Sequence, residues 1–167
     1  MSEKYNKWEK FYNKLNMVFH GIMALSMLPF AWAFLETQRQ FPESPFFEGT
    51  PLLIIKVSGA ALSVIVMFLS YRYSQNLLNE AKAENSVELK LKNYMSANMK
   101  DYLLLEIACA VAFLGLYLTK DHLFTGIYVA VLIMFSFKRP TYIRITKALE
   151  LTDDDVSDWI NEEKEKG

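Results

Sequence analysis

Four apolar blocks, each close to the length needed to cross a lipid bilayer, constrain this chain more than anything else in it. A helix needs roughly 20 residues, at about 1.5 Å of rise each, to span a hydrocarbon core of about 30 Å. Runs at about 15–35, 51–71, 102–118 and 123–137 approach that length with almost no charge. The first contains one titratable group, His20, the second Lys56 and the third Glu106, while the fourth has none. A bilayer offers no water to backbone N–H and C=O groups, so such segments satisfy them internally as helices. The fold class expected is all-α: a polytopic membrane protein with four transmembrane helices in two hairpins and a small helical cytoplasmic cap.

Composition enters as a check on that reading. The chain has 167 residues, 52% of them apolar and 22% charged, and the charges gather in the two tails and one central stretch. The only cysteine, Cys109, allows no intrachain disulfide, which excludes a secreted disulfide scaffold. A net charge of −1 argues against a nucleic-acid partner. Asp153, Asp154, Asp155 and Asp158 argue the same way, because a recognition helix must meet phosphates. A cleaved signal peptide is the alternative for the first block, since Lys14 precedes an apolar run ending in Ala31-Trp32-Ala33. His20, Pro29 and the acidic Glu3 and Glu9 count against it.

Orientation follows from the basic residues. With four crossings, fifteen of the 18 Lys and Arg fall on the side shared by the two tails and the loop 72–101. Arg39 and Lys120 fall on the other side, and Lys56 lies in a span. The positive-inside rule then makes both termini cytoplasmic and the expected location an inner (plasma) membrane. Residues 1–139 form the transmembrane domain, with 72–101 a cytoplasmic helical hairpin restarted by Asn85 and Glu88 as a capping box. Residues 140–167 form an amphipathic helical tail, in which Thr152 caps a helix carrying Val156, Trp159 and Ile160 at i, i+3 and i+4. Tyr5, Trp8, Tyr12 and Leu15 suit a helix lying in the interface before it turns into the membrane. Pro29 is expected to kink the first span, and His122 and Lys138 to reach outward from the short fourth one. Phe41, Phe46 and Phe47 in the outer loop suit the interface or a neighbouring subunit.

Ionisable groups at membrane depth are costly, so they are the first place to look for function. His20 and Glu106 each lie about five residues in from the cytoplasmic side, roughly 7 Å deep, a matching depth at which they can pair; the other structural readings of Glu106 are a hydrogen bond to a neighbouring subunit or a carboxyl that stays neutral. Lys56 enters from the other face and is expected to reach the outer interface or Glu36. Ala108, Ala112 and Gly115 make a small-residue face on the third span, and Gly59 with Ser63 a matching patch on the second, together a helix-packing face. No cluster of Cys, His and carboxylates and no phosphate loop is visible, so no cofactor, metal or catalytic residue is expected. The function this points to is non-catalytic: a small integral membrane subunit or scaffold. Its partners would be the lipid bilayer and other membrane subunits or a second copy, with Val156, Trp159 and Ile160 as a docking tail. The alternative is a small proton- or ion-coupled carrier or channel using Glu106 and His20.

Overall fold

A computed structural model describes residues 4–39 and 45–161, with nothing stated of the side chains of residues 4–6. Among the described residues there are six helices: α1 Lys4–Thr37, α2 Gly49–Lys82, α3 Val87–Thr119, α4 Leu123–Phe137, α5 Tyr142–Leu149 and α6 Asp153–Asn161. Three of them, α1, α2 and α3, are long and apolar enough to cross a membrane, and α4 with α5 would make a fourth span if counted as one. Such an all-helical chain with three to four apolar spans is consistent with a multi-pass helical membrane protein.

The described residues pack as two compact units. One takes its residues from Met1–His20, Arg72–Asp101 and Arg139–Gly167, the other from Gly21–Tyr71 and Tyr102–Lys138. In the first unit the buried apolar side chains are Leu15, Phe19, Ala81, Leu91, Tyr94, Ala97, Ile145, Leu149, Val156 and Trp159. The residues preceding the first apolar block are not a separate interfacial helix: α1 is continuous from Lys4 and also runs through Pro29. Trp8 instead sets its ring against Tyr142, 5.1 Å between centroids and at 73°. α3 starts at Val87, one residue later than an Asn85 cap requires, and Asn93 Nδ2 donates to Glu84 Oε1 at 3.0 Å in the turn before it.

The second unit is organised by two heptad seams. On α3, Tyr102, Leu105, Cys109, Ala112 and Leu116 recur at alternating spacings of three and four and are each 0% exposed. On α4, Phe124, Tyr128, Val131 and Phe135 repeat the same rhythm and are all buried. Side chains spaced this way fall on one stripe, so each helix turns one edge inward and leaves the rest of its apolar surface outside. Lys138, at the end of α4, is buried rather than reaching outward: its ammonium donates to Ser70 Oγ at 3.0 Å, and its carbonyl accepts from the Tyr102 hydroxyl at 3.1 Å.

Candidate functional site

Glu106 lies beside the α3 seam, half-buried, next to Ser26 of α1 and Cys109 and near Tyr128 of α4. The Ser26 hydroxyl donates back to its own helix, to the Met23 carbonyl at 3.2 Å. Glu106 Oε2, the Tyr128 hydroxyl and Thr125 Oγ1 are buried with no hydrogen-bond partner. Among the described residues no basic side chain pairs with Glu106. Orphaned polar atoms each cost about 1–3 kcal/mol, so several within one apolar unit mark a place where something beyond packing is at stake. Tyr128 is 5% exposed, and its ring stacks on Phe30 at 3.6 Å and 4°. Both rings line an open groove of about 260 Å³ between α1 and α4, completed by Met27, Ala31, Phe34, Thr125, Val129 and Leu132.

The other two ionisable groups of the apolar blocks are placed elsewhere. His20 is exposed, its imidazole edge-on to Phe19 at 5.1 Å, and it belongs to the first unit while Glu106 belongs to the second. The residue beside Glu106 is Ser26, six residues or about 1.7 turns further along α1. Lys56 does not meet Glu36, which holds Arg39 at 2.9 Å. Its ammonium reaches Asp121, in the turn between α3 and α4, at 2.6 Å. That hydrogen bond, with a second at 2.8 Å from the Leu123 N–H, holds the Asp121 carboxyl below the usual carboxylate range. The pair ties the N-terminal part of α2 to the start of α4.

The small-residue faces are filled from within the unit. Ala108, Ala112 and Ser63 are fully buried, and the Ser63 hydroxyl is satisfied by the Gly59 carbonyl at 3.0 Å. Between Gly59 and Gly115 lies the ring of Phe124: a methyl at Gly59 would stand 3.1 Å from it, and one at Gly115 only 2.2 Å. The two glycines therefore make room for an aromatic side chain of α4 rather than for each other.

The tail is likewise engaged inside its own unit. Val156 is 5% and Trp159 8% exposed, and the Lys7 ammonium lies over the Trp159 ring at 4.2 Å, whereas Ile160 is half-buried. A partner that used Val156 and Trp159 would have to lift α6 first. Phe46 and Phe47 are exposed, and the Phe46 N–H donates to the Leu118 carbonyl at 3.2 Å, while Phe41 lies outside the described residues.

Comparison with known families, curated proteins and solved structures finds no match to this chain. The site must therefore be argued from its own chemistry. Sequence reasoning missed Asp121, Phe124, Ser26 and Tyr128, and noted Thr125 only as one of a few polar groups within the spans. A trace of Asp121 was legible, because Lys56 and the turn at 120–122 fall on the same side of the four-span topology. Tyr128 carried none, being an ordinary member of an apolar run.

Proposed function

We propose that this chain is a non-catalytic, multi-pass subunit or scaffold of an inner (plasma) membrane, with both termini cytoplasmic, that packs against itself or another membrane protein along α2. The observation that carries this reading is how little of α2 its own chain covers. Only 11% of its most apolar window is buried, against 44% for α3, although its hydropathy is the highest of the three long helices. Ser63, Val66 and Ser70 make one narrow buried stripe, while Leu53, Ile54, Val57, Val64, Ile65 and Phe68 are each more than half exposed. Small residues between them, such as the exposed Ser58 and Ala61, let a second helix approach closely.

Crosslinking in native membranes tests it. In a Cys109→Ala background, a cysteine at Ile65 is expected to give one discrete crosslinked species, and a cysteine at the buried Ser63 none. Absence of any adduct from Leu62, Ile65 and Phe68 would leave lipid as the sole neighbour of α2 and end the proposal. For orientation, a cysteine at Lys92 should label only after permeabilisation and one at Arg39 from outside.

The second reading is a small proton- or ion-coupled carrier or channel, supported by the orphaned Glu106 oxygen. It requires that the purified protein discharge a proton or cation gradient in vesicles and that Glu106→Gln abolish this. His20 gains no support from its edge-on contact with Phe19.

A further inference from the structure

We propose that the second unit contains a binding site for an amphipathic amine, a protonated nitrogen on an apolar aromatic body, which rests on the α1–α4 groove and places its nitrogen at Glu106 and Tyr128. This goes beyond the subunit reading and does not depend on it.

The chemistry of the nitrogen follows from the orphaned atoms. Glu106 brings a carboxylate oxygen with no partner, and no basic side chain among the described residues answers it; Lys56, the charge of the second apolar block, is held by Asp121. The Tyr128 hydroxyl, on a side chain 5% exposed, makes no hydrogen bond of good geometry either, and the one polar side chain the two share is Ser26, whose hydroxyl proton goes to the Met23 carbonyl. An ammonium group donates to both oxygens and offsets the carboxylate charge in one step, where a neutral donor would leave the charge unanswered. A metal ion fits less well, since among the described residues no group of three or more His, Cys, Asp or Glu exists to hold one.

The chemistry of the body follows from the groove. It is lined by Met27, Phe30 and Phe34 on α1 and Tyr128 and Leu132 on α4, and its volume of about 260 Å³ is just under the range of drug-sized sites. Tyr128 belongs to both parts: its ring lines the groove and its hydroxyl is in the polar cluster. A ligand that enters here from lipid therefore needs an apolar, preferably aromatic, body and one cationic head.

The test uses the full chain in uncharged detergent or nanodiscs, titrated with 2-(naphthyl)ethylamine, its alcohol isostere 2-(naphthyl)ethanol, and naphthylacetate. The amine is expected to bind at least tenfold more tightly than the alcohol, and the anion least. Glu106→Gln should remove the preference for amine over alcohol, and Tyr128→Phe should weaken the amine severalfold. Ala31→Trp, which fills the groove, should abolish both. Equal affinity for amine and alcohol, the behaviour of a groove that takes only lipid chains, would overturn the proposal. So would an amine preference that survives in Glu106→Gln, or binding untouched by Ala31→Trp. Should Glu106→Gln fail to fold, judged by helical content and melting, Tyr128→Phe and Ala31→Trp still decide the matter.

Discussion

Gly115 is the residue with the least room to change. Its hypothetical methyl would stand 2.2 Å from the ring of Phe124, which is itself 0% exposed and has nowhere to retreat. Overpacking of this kind costs typically about 1–3 kcal/mol, so Gly115→Ala should lower the melting temperature clearly and Gly59→Ala, at 3.1 Å, much less. Phe124→Leu should relieve the first substitution; additive losses in the double variant would show that the ring is not the obstacle. The Lys56–Asp121 pair makes a pH prediction. Asp121 is held below its ordinary value, so the pair's contribution is fully present above the unfolded pKa of about 3.9 and is lost as pH falls through the lower folded one. Its side chains are 28% and 32% exposed, which with solvent screening limits the contribution to about 0.5–1 kcal/mol. Asp121→Asn should therefore melt below wild type at pH 7, with the gap closing beneath about pH 4; a gap undiminished at pH 2.5 would refute the assignment. The seat of Phe124 against Gly115 was not legible beforehand, and of the Lys56–Asp121 pair only the shared side of the topology was, because a sequence gives the depth of Lys56 but not the turn that comes to meet it.

At the scale of elements, the elbow between α5 and α6 is built from local rules. Glu150 closes α5 in the left-handed region at φ 53°, and the Leu151 N–H reaches back to the Thr146 carbonyl at 2.9 Å. An L-residue in that conformation costs roughly 1 kcal/mol, whereas the exposed Lys82–Glu150 pair, at 3.1 Å, returns about 0.5 kcal/mol or less. Glu150→Gly is thus expected to raise stability slightly and Glu150→Ala to lower it; the order of their melting midpoints checks this. Thr152 then opens α6. Its hydroxyl accepts from the Asp155 N–H at 3.1 Å and donates to Asp155 Oδ2 at 2.7 Å, which keeps that carboxyl below its usual range. Thr152→Ala should cost about 1 kcal/mol and Thr152→Ser restore most of it, read by thermal unfolding. This cap was readable from a threonine ahead of three aspartates. Of the inward edge of α3 only the small residues Ala108, Ala112 and Gly115 were readable, and of α4 none, because a helix apolar all round gives no polarity contrast to mark its seam.

For the whole molecule, the first unit gathers stretches of chain far apart in sequence, and Trp159 is its largest contribution from the tail. Trp159→Ala should destabilise by about 3 kcal/mol, near the lower end for a buried tryptophan because α6 is short and buries only Val156 besides it. Hydrogen exchange should rise across α5, α6 and residues 87–97; unchanged protection there would mean the tryptophan is not structural.

What the sequence determined by itself was an all-helical chain with three to four apolar helices of membrane-crossing length, three standing alone and the expected fourth only if α4 and α5 are counted together, since segregated hydropathy and the need to satisfy backbone groups leave few alternatives. The register of the first span was beyond it. Counting from Leu15 put His20 level with Glu106, but Leu15 and Phe19 are buried in the first unit, the second begins at Gly21, and Ser26 is the residue beside the carboxyl. That shift of six residues is about 9 Å along a helix. Hydropathy registers only that a side chain avoids water; whether lipid or another part of the protein covers it is decided by tertiary packing.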